Sequence, residues 1–149
     1  LNPYQAEVGM NALIDTVLRA RLSYLLATCL LTYVFWWSGL SKLWDFQGAI
    51  AEMKHFGLAP AALFAALTIV VQLGGSLAII ACSRWAWLGA GALATFTLGT
   101  VAVVHRFWEM QGMEAFLEKA LVQDHASVIG GLAVAAILAH QRRRTQGRA

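Results

Sequence analysis

Residues 61–104 read AALFAALTIVVQLGGSLAIIACSRWAWLGAGALATFTLGTVAVV, a run in which Arg84 is the only formal charge. A bilayer core about 30 Å thick needs roughly 20 mostly apolar helical residues to cross it. The run therefore holds two crossings, 61–82 and 85–104, joined by Ser83 and Arg84. Lipid offers the backbone no hydrogen-bond partner, so each crossing is expected to be a helix.

Working outward, 22–40 and 122–139 are the other two stretches long and apolar enough to span. The expectation is an all-α fold, an integral membrane four-helix bundle over 22–139. A tail, 1–21, precedes it and a basic tail, 140–149, follows. The composition agrees: 59% of residues are hydrophobic and 13% charged, and four helices with short connections use nearly all of the chain. Pro3 lies in the tail and Pro60 is placed at the first turn of the second span, where its missing N–H costs nothing. Trp36, Trp37, Trp44, Trp85, Trp87 and Trp108 fall at the segment ends, as amphipathic indoles do at headgroup level.

Lysine and arginine in short loops favour the cytoplasmic side. Arg19 and Arg21 precede the first span, Arg84 lies between the second and third, and Arg142, Arg143, Arg144 and Arg148 follow the fourth. With four spans these share one face, so both termini are expected to be cytoplasmic in a multi-pass protein of a bacterial inner membrane. The net charge of +3 then expresses topology and contact with anionic lipid, and no nucleic-acid partner is expected. Leu1 to Ala20 has no continuous apolar core of a signal peptide. From about Val8, Met10, Leu13, Val17 and Leu18 form a helical stripe that suits a surface helix.

On the opposite face the connections are patterned. Leu43, Phe46, Ile50 and Met53 recur at helical spacing opposite Asp45, Glu52 and Lys54. Met110, Met113, Leu117 and Leu121 do so opposite Gln111, Glu114 and Glu118. Two short interfacial amphipathic helices are expected there, roofing the outer face. Within the spans, Gly74, Gly75 and Ala78, then Gly91, Thr95 and Gly99, then Gly130, Gly131 and Ala135 have the small-residue spacing that lets helix backbones approach.

Polar groups inside or at the edge of a span are the candidate functional residues, because burying them is costly. They are Ser38, Ser41, Lys42 and Asp45 ending the first span, Gln72 within the second, His105 and Arg106 ending the third, and Asp124 and His125 opening the fourth, with His55 in the first connection. Lys42, Asp45, His105 and Arg106 describe a charged rim able to hold a quinone oxygen or exchange protons with it, and Gln72 a buried polar contact. At three residues apart, Lys42 and Asp45 also suit an intrahelical ion pair. The histidines lack HxxxH spacing and the two cysteines lack CxxC spacing, so neither metal nor haem is assigned and no intrinsic cofactor is expected. Cys29 and Cys82 read as small buried hydrophobes. No nucleotide loop, GxSxG elbow or metalloprotease box is present. Catalysis by this chain alone is not expected.

The order Trp37-Ser38-Gly39-Leu40-Ser41-Lys42-Leu43, Asp45-Phe46, His55-Phe56-Gly57-Leu58 with Pro60, Leu73-Gly74-Gly75 and Ser83-Arg84-Trp85 resembles the DoxX family of small four-helix membrane proteins. The resemblance covers about 19–139. Where that family often carries a glutamate before its glycine pair, this chain has Gln72, an amide in place of a protonatable carboxylate. The resemblance implies membrane redox chemistry, since some DoxX and DoxD relatives are subunits of a thiosulfate:quinone oxidoreductase and others accompany thiol-stress or oxidoreductase partners. The first expectation is thus a membrane subunit of a larger oxidoreductase, anchoring a catalytic partner and contributing to a quinone site. The alternative is a structural protein that packs laterally on a larger membrane complex and binds no ligand. A third reading is a haem carrier using His105 and His125.

Overall fold

The computed structural model describes residues 3–147. They form seven α-helices and no strand: α1 Pro3–Arg19, α2 Arg21–Leu31, α3 Tyr33–Trp44, α4 Phe46–His55, α5 Ala61–Ile80, α6 Ala86–Val103 and α7 Gly112–Gln146, with a 3-10 turn at Phe107–Glu109 before α7. Three helices are long and apolar enough to cross a bilayer, and α2 with α3 is a fourth crossing if the bent pair is counted as one.

The first expected span is not one straight helix. It breaks at Thr32, and α2 and α3 meet at 62°. Thr28 and Thr32 each donate a side-chain hydroxyl to the carbonyl four residues back, at 2.8 Å in both cases, a bond that bends helices. The Trp36 indole N–H reaches back across the break to the Cys29 carbonyl at 3.0 Å. A backbone acceptor near the bend is thereby satisfied where lipid could not do it.

The second difference lies near the C-terminus. The amphipathic stretch before residue 122 and the apolar stretch after it are a single 35-residue helix, α7. No proline or glycine stands between Met113 and Ile129 to end it. At 1.5 Å per residue α7 is about 52 Å long, well beyond a hydrocarbon core of about 30 Å. Part of it must therefore stand outside the apolar slab.

α6 lies between α5 and α7, α3 and α4 pack on α5, and α2 touches α5 and α7. Phe35, Ile79, Ala90, Leu93, Leu132 and Ala135 form the main core. The closest approach is between α5 and α6. A Cβ on Gly89 would lie 2.8 Å from the Gly75 carbonyl oxygen, and one on Gly75 would lie 2.7 Å from Leu93 Cγ. Gly131 meets Leu31 in the same way. Gly74, Gly91, Gly99 and Gly130, grouped with them by spacing, meet nothing within 4 Å.

The two ends of the fold differ. At one, Tyr24, Ala86 and Ala139 pack together with Cys82, and Arg142 donates to the Arg19 carbonyl at 2.8 Å. The starts of α2 and α6 and the last turns of α7 therefore converge there, bringing arginines of both terminal regions into contact. At the other end, α4 packs Ala49 and Met53 on Ala65 of α5, and His105 follows the end of α6.

Candidate functional site

A cavity of about 750 Å³ opens between α3, α4, α5, α6 and α7 at the end opposite the arginines, a volume typical of small-molecule sites. Its walls are mostly apolar, from Phe35, Phe64, Val71, Phe96 and Val128 among others. Gly99 lines it too and leaves open space where a side chain would stand. Polar groups are few and placed at defined points: Ser38, Lys42, Glu52, Thr68, Gln72, Thr97, Thr100, His105, Asp124 and His125.

Lys42 is held at two places. Its ammonium donates to Ser38 Oγ at 3.2 Å and pairs with Glu52 at 2.9 Å. The expected pair with Asp45 does not form. Asp45 is instead the N-cap of α4, accepting the Gly48 N–H at 2.8 Å, and its preference for that position is the ordinary one for a carboxylate at a helix start. An ammonium has three donors, so these contacts leave Lys42 one more for a ligand.

His105 Nδ1 lies 2.7 Å from Glu118 Oε2 of α7. Both side chains are largely buried, at 15% and 25% exposure. With Nδ1 engaged, Nε2 is the ring nitrogen left for another partner. The His105 and His125 rings touch edge to face, with centroids 4.7 Å apart, and His125 Nδ1 is bonded to the Leu121 carbonyl at 2.6 Å. Rings in contact leave no room for a haem between them, so a haem carried on this pair would have to force them apart.

Deeper in, Gln72 is 4% exposed. Its Nε2 donates to Ser38 Oγ at 3.3 Å, while its Oε1 is buried without a hydrogen-bond partner. A buried acceptor left unsatisfied costs about 1–3 kcal/mol. Ser38 thus collects donors from both Lys42 and Gln72, linking the cavity rim to its interior.

Of the residues singled out by sequence, Ser38, Lys42, Gln72, His105, Asp124 and His125 line the cavity, and Ser41, Asp45, His55 and Arg106 do not. Arg106 is exposed and pairs with Glu109 at 3.5 Å. Sequence reasoning missed Glu52 and Glu118 as the partners of Lys42 and His105. The capping role of Asp45, legible from a helix restarting right after it, would have freed Lys42 for another acid.

The family model described as DoxX matches residues 23–106, more than half of the chain. The matched segment runs from α2 through α6 and includes Lys42, Gln72 and His105. No curated protein matches the chain, and no solved structure does. The chain belongs to the DoxX family.

Proposed function

We propose that this DoxX-family chain is an integral-membrane subunit of a bacterial inner-membrane redox complex, anchoring a catalytic partner and binding a quinone in the cavity. In this reading α2 and α3 together make a fourth span of a four-helix bundle, and both termini are cytoplasmic. The cavity then opens toward the outer face, where α4 and the first turns of α7 lie at the interface as its roof.

The observation that carries the ligand reading is the unsatisfied Gln72 Oε1 beside an apolar cavity whose mouth bears Lys42 and His105. A quinone couple suits such a site. Its ring and isoprenoid tail are apolar, its oxidised form presents carbonyl oxygens to donors, and its reduced form presents hydroxyls to acceptors. The apolar walls would hold the ring and the start of the tail. Lys42 would donate to an oxygen at the mouth. In the reduced form the hydroxyls would donate to His105 Nε2, left as an acceptor by the Nδ1 bond to Glu118, and to the Gln72 Oε1 that lacks a partner. The His105–Glu118 pair sits where a proton could be exchanged with the outer aqueous phase.

The test is lipid extraction of the complex after purification in a mild detergent, with Gln72→Leu and Lys42→Met as comparisons. Quinone retained by the unaltered chain and lost from both variants supports the site. Equal quinone content in all three would place it elsewhere.

A second reading has an observation of its own. Gly91, Ala92 and Thr95 of α6 border a separate hollow of about 530 Å³ with Trp87, Leu88, Val71 and Phe96. Small residues with open space before them suit close approach of a helix from another subunit. In the structural alternative this groove seats the partner and the polar cavity is empty. Gly91→Leu should then release the partner while Lys42→Met leaves it bound.

A further inference from the structure

Helix α1 carries an apolar face that nothing in the chain covers. Met10, Leu13, Ile14, Val17 and Leu18 recur at the spacing of one helix face, and they are between 49% and 68% exposed. Ala12, Asp15, Thr16 and Arg19 occupy the opposite face, with Arg19 paired to Asp15 at 2.8 Å. Ala20 alone separates α1 from α2. The outward apolar series continues there as Leu22, Leu26 and Leu30, each more than half exposed.

The surroundings of this face are cationic. The convergence of α2, α6 and α7 at Tyr24, Ala86 and Ala139 gathers Arg19, Arg21, Arg84, Arg142, Arg143 and Arg144 at the same end. Arg142 is fixed in place, donating to the Arg19 carbonyl at 2.8 Å and lying over the Tyr24 ring at 5.2 Å. The C-terminal end of α1 is thereby tied to α7.

We propose that α1 lies in the headgroup layer of an anionic leaflet, its apolar face at the acyl boundary and the neighbouring arginines on lipid phosphates. Two features select a bilayer over a protein partner or a second copy. The stripe runs directly into the outward leucines of α2, which belong to a segment built to meet lipid. The charges gathered at that end are guanidinium groups, whose planar fork matches phosphate. α1 itself carries Glu7 and Asp15 against Arg19, so the neighbouring arginines supply the attraction to anionic lipid and α1 supplies the apolar face. The proposal does not depend on what occupies the cavity.

The test uses the full chain with Cys29→Ala and Cys82→Ser, spin-labelled at Leu13→Cys or at Ala12→Cys. It is reconstituted in phosphatidylcholine vesicles or in an equal mixture with phosphatidylglycerol. In the mixture the label at position 13 should be relaxed by oxygen and protected from a water-soluble nickel chelate, and the label at position 12 should show the reverse. That contrast should shrink in phosphatidylcholine alone and on replacing Arg142, Arg143 and Arg144 with Gln. Equal nickel access at both positions would overturn the proposal, as would protection indifferent to headgroup charge. Protection lost on diluting the chain in lipid would assign the face to a second copy instead.

Discussion

Gln72 of α5 donates its amide to Ser38 of α3 at 3.3 Å while its own carbonyl oxygen stays buried and unbonded. The same serine oxygen accepts from Lys42 at 3.2 Å. One hydroxyl therefore couples a charged group at the cavity mouth to an incompletely satisfied amide inside, and the shortfall in hydrogen bonding sits beside open volume.

Replacing Gln72 with Leu should separate ligand binding from stability. The substitution loses the long bond to Ser38, whose oxygen still accepts from Lys42, and at the same time removes a buried acceptor that has no partner, so the ligand-free melting temperature should hold or rise. The stabilisation conferred by an added short-chain quinol should fall. Thermal unfolding in detergent, with and without the quinol, reads both effects; a destabilised variant that still responds to quinol would contradict the assignment.

Lys42 and Glu52 should show energetic coupling, and Lys42 and Asp45 should not. In a double-mutant cycle with Lys42→Met and Glu52→Gln, contacting charges give a non-additive term of about 0.5–3 kcal/mol. The low end is expected, because the Glu52 side chain is 43% exposed and solvent screens the pair. Asp45→Ala should cost about 1 kcal/mol through the lost cap of α4, additively with Lys42→Met, measured by equilibrium unfolding.

Arg106→Ala should leave quinone content and turnover of the complex unchanged. Its pair with Glu109 is solvent-exposed at 47% and 57%, and such pairs contribute about 0–1 kcal/mol. His105→Ala should lower quinone retention, because it removes a cavity-lining ring and leaves Glu118, at 25% exposure, without its partner. Extracted quinone per chain distinguishes the two substitutions.

Two glycines of α6 should respond in opposite directions. Gly89→Ala places a Cβ 2.8 Å from the Gly75 carbonyl oxygen, and backbone cannot yield as a flexible side chain can, so a loss of about 1–3 kcal/mol is expected. Gly91→Ala meets nothing within 4 Å and should gain about 0.5–1 kcal/mol from helix propensity. Melting temperatures of the two variants in the same detergent provide the comparison.

These contrasts mark where sequence was and was not informative. Helices α5 and α6 were legible because their apolar runs are long and are separated by a polar turn at Ser83 and Arg84. The break at Thr32 was not, because threonine is tolerated inside membrane helices and only its bond to the carbonyl four residues back distinguishes a bend. The union of two expected elements into α7 was hidden by a change in amphipathicity, which alters which side of a helix meets water without interrupting it. Small-residue spacing located candidates but could not say which glycines face a neighbour: Gly75 and Gly131 do, Gly74 and Gly130 do not, and Gly89 was overlooked. For the cavity, chemistry picked out Ser38, Lys42, Gln72, His105, Asp124 and His125, whereas Glu52 and Glu118, the acidic partners of Lys42 and His105, lie on other helices that only the fold brings near.

The most direct measurement of the central claim is quinone extracted per chain from the complex purified in mild detergent, with Gln72→Leu purified in parallel. The account predicts stoichiometric quinone with the unaltered chain and a marked loss with the variant. A chain recovered without quinone, and unaffected in melting temperature by added quinol, would contradict it.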